Sequence, residues 1–231
     1  MITHALLLAV LLAGSTVEIT AVQFPAKGKA TISFGGKSKA EVERTGTVSR
    51  TSIQLEAVQP PSSFQAGMNC YVAWAVSPEG TVDNLGELEI NGTKASLEAT
   101  TSFDRFGILI TAEPHYLVDK PSLRLAYKNE SARDYPGAPV TIEVGAYDYP
   151  ALPVNVTASP SIVLEARAAI TIAAAVQADT KAQSEFRQAR VAIDTMEELV
   201  RRVSPPDVIA AAAHAAIRRA QQATALARTK N

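Results

Sequence analysis

The chain holds one cysteine, Cys70, and three histidines, His4, His115 and His214. A lone cysteine cannot make an intrachain disulfide, a multi-thiolate zinc site or a CxxC redox pair. The histidines lie far apart and show no metal-ligand spacing. Glu113 and His115 flank Pro114 and offer an acid/base pair at a sheet edge. No nucleophile or metal partner accompanies them, so a loop carboxylate and a surface histidine are expected. Cys70 and Trp74 share one face of the apolar run MNCYVAWAV, where both read as core residues rather than as a reactive thiol and a binding platform. Asp-Tyr-Pro occurs at 134–136 and again at 148–150. Exposed tyrosines there could stack on a sugar, although turn corners explain the tripeptides as well. GxSxG, HExxH, phosphate-loop and EF-hand patterns are missing, and Gly35-Gly36 before Lys37 reads as a turn. No catalytic, cofactor-binding or metal-ligating residue is assigned, no cofactor is implied, and a non-enzymatic role is expected.

The elements that must carry these residues change character along the chain. Up to about residue 160 the sequence is rich in Thr, Val, Gly and Pro in short alternating segments, and beyond it alanine dominates. A β region therefore precedes an α region. The predicted organisation is a signal peptide over 1–14, an antiparallel β-sandwich of immunoglobulin-like kind over 15–150, a Pro-rich linker over 151–160 and an Ala-rich helical hairpin or small bundle over 161–231. The run ALLLAVLLA from Ala5 to Ala13 has signal-peptide length and is too short to span a bilayer. It implies export, to the periplasm or outside the cell, with no transmembrane span in the mature chain. With 22 basic and 23 acidic residues, the net charge of −1 argues against a nucleic-acid partner.

Ser52, Gln54 and Glu56 alternate with Ile53, Leu55 and Ala57, giving a strand with one wet face. Asn91-Gly92 between Gly86–Ile90 and Thr93–Ala99 predicts a type I′ hairpin. Its register would set Ile90 against Thr93, Glu89 against Lys94 and Leu88 against Ala95. Met68–Val76 and Phe106–Ala112 are apolar on both faces and suit central strands.

The segments WAVSPEG, NLGEL and FGILITAEPH, together with AKGKA and SRTSIQLEA, make about residues 25–125 resemble a β domain of bacterial envelope proteins. In that family the domain lies upstream of an OmpA-type peptidoglycan-binding domain. The Ala-rich LEARAAITIAAAVQADT and FRQARVAI are similar to helical segments of such proteins. No OmpA-type segment is read within residues 1–231, so no wall-binding residue is carried over, and the resemblance supplies no catalytic or ligand residue.

In the α region, Ser159-Pro160 is placed to open a helix, with the serine as N-cap. Positions 162, 166, 169, 173 and 176 keep one heptad register, and 186, 189, 193, 196, 200 and 203 keep another. A break around Asp179–Ser184 is implied. Ser204-Pro205-Pro206 ends the second helix, and the last runs from Asp207 to about Arg228 with a stripe of Ile209, Ala213, Ala216, Ala220, Ala223 and Ala227. That stripe should face Phe186–Val203, leaving Ile162–Val176 to dock on the sandwich, fold back as a third helix or meet a second chain. Small side chains favour close helix contact, so the expected partner is an envelope protein or a second copy held through the Ala-rich helices. The expected function is that of a periplasmic structural or accessory protein acting through protein contacts. The alternative is a sandwich module that binds a glycan or peptide, with the helices as spacer.

Overall fold

The structure is a computed structural model that describes residues 15–130, 135–147, 149, 151–152 and 159–230. The segment read as a signal peptide lies outside the described residues. Two antiparallel sheets are followed by helices. The first sheet contains β1 (Ser15–Gln23), β5 (Cys70–Val76), β6 (Val82–Glu87), β9 (Arg105–Glu113), β10 (Leu125–Lys128) and β11 (Gly137–Val144). Its order is β11-β1-β9-β5-β6, and β10 also pairs with β9. The second sheet contains β2 (Lys29–Ser33), β3 (Lys39–Thr45), β4 (Val48–Glu56), β7 (Glu89–Asn91) and β8 (Lys94–Thr101), in the order β2-β3-β4-β8-β7. Alternation explains the second sheet. Ala30, Ile32, Ala40, Val42, Ile53, Leu55 and Ala95 point inward, while Glu43, Gln54 and Ser96 stay on the wet side. The inward set shares one core with Val22, Tyr71, Ala73, Ala75, Phe106, Ile108 and Ile110 of the first sheet.

The two central strands are buried on both faces, as their unbroken apolar runs predict. The second face of β5 and β9, carrying Cys70, Val72, Trp74 and Leu109, forms a second core with Val118 and with Ile142 and Val144 of β11 in the same sheet. One edge of β9 is shared by two strands, since β1 pairs with Arg105 and Phe106 and β10 pairs with Leu109–Thr111. The Asn129 side chain bridges the interval, accepting from Ile108 N at 2.8 Å and donating to Thr20 O at 3.0 Å. Gly107 permits this approach, because a Cβ there would lie 2.7 Å from Ile19 Cγ1 and 2.8 Å from Thr20 O.

The hairpin forms with a different register. Asn91 pairs with Lys94, Ile90 with Ala95 and Glu89 with Ser96, so the loop is Gly92-Thr93. Gly92 has φ +61, whereas Asn91 and Thr93 do not take positive φ. Glycine at the first central position is the pattern of a type II′ turn, not I′. The slip has a cause upstream. Leu88 is buried and its N–H bonds Tyr71 O at 2.9 Å, which anchors it to the first sheet just before β7 joins the second. Lys94 pairs with Glu56 at 2.8 Å rather than with Glu89. Strand β4 also ends one residue early, because Ala57 turns out at φ 55 and is exposed.

The helices are α1 (Ser161–Ala175), the single turn α2 (Ala178–Lys181), α3 (Gln183–Arg201) and α4 (Pro206–Thr229). Pro160, not Ser159, is the N-cap residue of α1, and no side chain caps it. The break falls earlier than expected, beginning at Val176 and Gln177, where Gln177 takes φ 62. This reversal lets α1 fold back as a third helix. Ala166, Ala169 and Ala173 pack with Ala189, Ile193 and Met196 of α3 and with the stripe Ala213, Ala216, Ala220, Ala223 and Ala227 of α4. Arg219 of α4 bonds Gln188 of α3 at 2.9 Å, and Lys230 Nζ just after α4 bonds Lys181 O of α2 at 2.7 Å, which sets the end of α4 beside the start of α3. The Ala-rich faces expected to meet a partner are thus used within the chain.

Ala168 and Ile172 of α1 group with the buried residues shared by the two sheets, and Tyr116 and Leu117 pack against the helical core. No described helix is long and apolar enough to cross a membrane.

Candidate functional site

The residues with chemical potential converge where α1 and the 114–122 segment cover the end of β5 and β9. Cys70 pairs in register with Glu113, and Val72 pairs with both Thr111 and Glu87. Cross-strand partners share a face, so Cys70, Glu87, Trp74, Thr111 and Glu113 all point away from the second sheet. Two buried polar clusters result.

The first is a chain of hydrogen bonds through Glu113. Trp74 Nε1 donates to Thr111 Oγ1 at 2.8 Å, and Thr111 Oγ1 donates to Glu113 Oε1 at 2.5 Å. Ser122 N donates to the same oxygen at 2.7 Å, and Tyr149 Oη reaches Oε2 at 3.5 Å. Burial pushes the Glu113 carboxyl up to about 7 against the opposing pull of those donors. No ion pair reaches it among the described residues. Glu113 is a central-strand carboxyl, not the expected loop carboxylate.

His115 is likewise buried rather than on the surface, and its Nδ1 has no hydrogen-bond partner. Burial, helped by the charge of Arg228, holds it down at about 3, so it is neutral. No hydrogen bond or ion pair links it to Glu113 among the described residues. The acid/base pair is therefore not assembled. Tyr149 and Tyr135 are half-buried and packed against the core rather than presented for stacking.

The second cluster joins three elements. One ligating atom each from Cys70 at the start of β5, Glu87 at the end of β6 and Glu165 in α1 lie within 4.8 Å of one another. Cys70 and Glu165 are buried and Glu87 is half-buried. Tyr116 N donates to Glu165 Oε2 at 3.1 Å, which fixes that carboxyl and leaves Oε1 buried with no hydrogen-bond partner. The Cys70 thiol instead donates to Glu113 O at 3.5 Å. Burial, then the nearby Glu87 charge, raises Glu165 well above the usual carboxyl range. Burial raises Glu87 too and pushes the Cys70 thiol well up, which makes it inert as a nucleophile.

A clamp holds this region together. Asn84 Nδ2 donates to Tyr116 O at 3.0 Å and Val118 O at 2.9 Å, while Gly86 N bonds Asn84 Oδ1 at 2.9 Å across the β6 bulge. Tyr116 Oη meets His214 Nδ1 of α4 at 3.1 Å. Arg228 bonds Asp119 at 3.2 Å and lies over the Tyr147 ring. The space beside Ser122 and Tyr149 is only about 70 Å³. Two larger open grooves, of about 410 and 460 Å³, are not lined by any member of the two clusters.

Sequence reasoning placed Cys70 correctly in the core but missed its association with Glu87 and Glu165. The available signal was Glu165 itself, a carboxylate inside the apolar helix SIVLEARAAITIAAA. No protein-family model, no curated protein and no solved structure matches the chain.

Proposed function

We propose that the chain is a non-enzymatic structural or accessory protein of the cell envelope, exported to the periplasm, that acts through protein–protein contacts. On this reading the two sheets form an immunoglobulin-like sandwich to which the helical bundle is firmly docked. The bundle presents the contact surface. The placement rests on the apolar run Ala5–Ala13, read as an export signal, and on the envelope-type reading of segments such as WAVSPEG and FGILITAEPH. The enclosure of Glu113, His115 and Cys70 supports a role without catalysis.

The observation that carries the reading is the turn between α3 and α4. Val203 is 87% exposed at φ 54, and Val208, in the first turn of α4, is 41% exposed. A β-branched residue at positive φ costs on the order of 1–3 kcal/mol. Pro205 and Pro206 are exposed between them. A stiff tip that sets Val203, Pro205, Pro206 and Val208 in water among the exposed Arg201, Arg202 and Asp207 is suited to contact with a partner of mixed apolar and charged surface. The Ala-rich stripe is closed within the chain, so the contact surface moves from the helix faces to the hairpin tip.

Pull-down from cross-linked envelopes, with wild type against the Val203→Asp/Val208→Asp double variant, tests this. Specific protein partners that the double variant loses are the expected result. Retention by purified wall or glycan alone, unchanged in the variant, would overturn it in favour of a ligand-binding sandwich.

A further inference from the structure

We propose that Cys70, Glu87 and Glu165 form a binding site for a divalent cation of the zinc class. Three features of the cluster lead there. First, its ligating atoms come from three separate elements and already lie within 4.8 Å of one another. Tetrahedral zinc, with sulfur at about 2.3 Å and oxygen at about 2.0–2.2 Å, sets its ligand atoms roughly 3.4–3.7 Å apart. The cluster would therefore contract by at most about 1.4 Å to close on an ion.

Second, Glu165 Oε1 is buried without a hydrogen-bond partner, while Oε2 is fixed by Tyr116 N at 3.1 Å. An orphaned buried carboxyl oxygen is costly, and buried charges are ordinarily paired or coordinate a metal. A backbone donor on the other oxygen is the kind of outer contact that orients a metal ligand. Third, no lysine or arginine forms a salt bridge with Glu87 or Glu165 among the described residues. A cation in their midst would take the place of the proton that the carboxyl pair otherwise holds.

The donor set selects the ion. One thiolate with two carboxylates suits a borderline cation, whereas calcium and magnesium prefer oxygen alone. Three protein ligands leave a fourth position for water. Half-buried Glu87 gives the ion a way in. On binding, the thiol proton and any proton held by the carboxyl pair leave to solvent.

The test uses the full chain, freed of metal and titrated with cobalt(II). The expected result is a sulfur-to-cobalt charge-transfer absorption that saturates at one equivalent and is displaced by zinc, together with a rise in melting temperature with zinc. Glu87→Gln alters a half-buried side chain and should keep the fold, as circular dichroism would verify. It should weaken binding by at least about tenfold. Cys70→Ser should remove the absorption. Two results would overturn the proposal: folded wild type showing neither the absorption nor the zinc shift, or Glu87→Gln and Glu165→Gln both binding as tightly as wild type. The latter would mean a lone thiol picking up metal. Neither readout depends on an envelope partner, so this result and that of the pull-down are independent.

Discussion

Replacing Glu113 with glutamine should change how stability depends on pH. Its carboxyl is ordinarily at 4.5 and lies at about 7 in the folded chain because it is buried beside Thr111, Ser122 and Tyr149 without a cation. Between those values the folded state holds a proton that the unfolded state has released. Stability contributed by this group is therefore complete below about pH 4.5 and is lost as pH rises to about 7. The gap corresponds to about 3 kcal/mol. His115 has the opposite sign. Held at about 3, it must charge on unfolding below its usual 6.5, so its stability is lost as pH falls through that window. The two slopes nearly cancel between about pH 4.5 and 6.5, which would hide both in the wild type alone. The variant separates them. Glutamine keeps an oxygen for Thr111 Oγ1 and Ser122 N and turns its amide toward Tyr149 Oη, and it does not titrate. Urea unfolding of both proteins should show the variant gaining about 3 kcal/mol relative to wild type between about pH 4 and pH 8. At ordinary urea slopes that is a relative midpoint shift of about 1 M or more. Parallel pH curves for the two proteins would refute the assignment of a raised, buried carboxyl at Glu113.

Gly92→Val places a β-branched residue at φ +61 and should cost on the order of 1–3 kcal/mol, read as a lower melting temperature. An unchanged melt would mean that the turn does not need glycine there. Gly107→Ala forces a methyl into Ile19 and Thr20 O and should cost about 1–3 kcal/mol, lowering the melt by about 2–4 °C per kcal/mol. Ala169→Arg buries a charge in the helical core of a residue only 1% exposed, so it should unfold or melt early without altering the solution mass of what stays folded. A normal melt with a changed mass would instead mark an intermolecular face.

Local periodicity made much of the fold legible. The alternation from Ser52 to Leu55 gave β4, and the two-sided apolar runs gave β5 and β9. The heptads gave Ala166, Ala169 and Ala173 of α1 and Ala189, Ile193 and Met196 of α3, but they missed the buried Ala168 and Ile172 and wrongly placed Val203, which is exposed beyond the end of α3, on the packed face. Signals with two local solutions were less decisive. Asn91-Gly92 serves a type I′ turn as Asn-Gly or a II′ turn as Gly-Thr, and the choice is made by Leu88, tied to Tyr71 across the molecule. The reversal at Gln177 has no glycine or proline to announce it. The buried clusters were least legible, because Cys70, Glu87 and Glu165 meet through tertiary packing and no spacing rule connects them. Glu113 and His115 looked like edge residues because Pro114 separates them. The strand in fact continues to Glu113, and the following segment is covered by Arg228 and the helices.

The proposed role depends on engagement of an envelope protein by the α3–α4 tip. A photo-cross-linking amino acid at position 203 of the natively expressed chain, with position 52 on the outer face of the second sheet as control, tests it most directly. A discrete adduct with an envelope protein from position 203 and none from position 52 is the predicted outcome. No adduct from 203, or the same adducts from both positions, would contradict it.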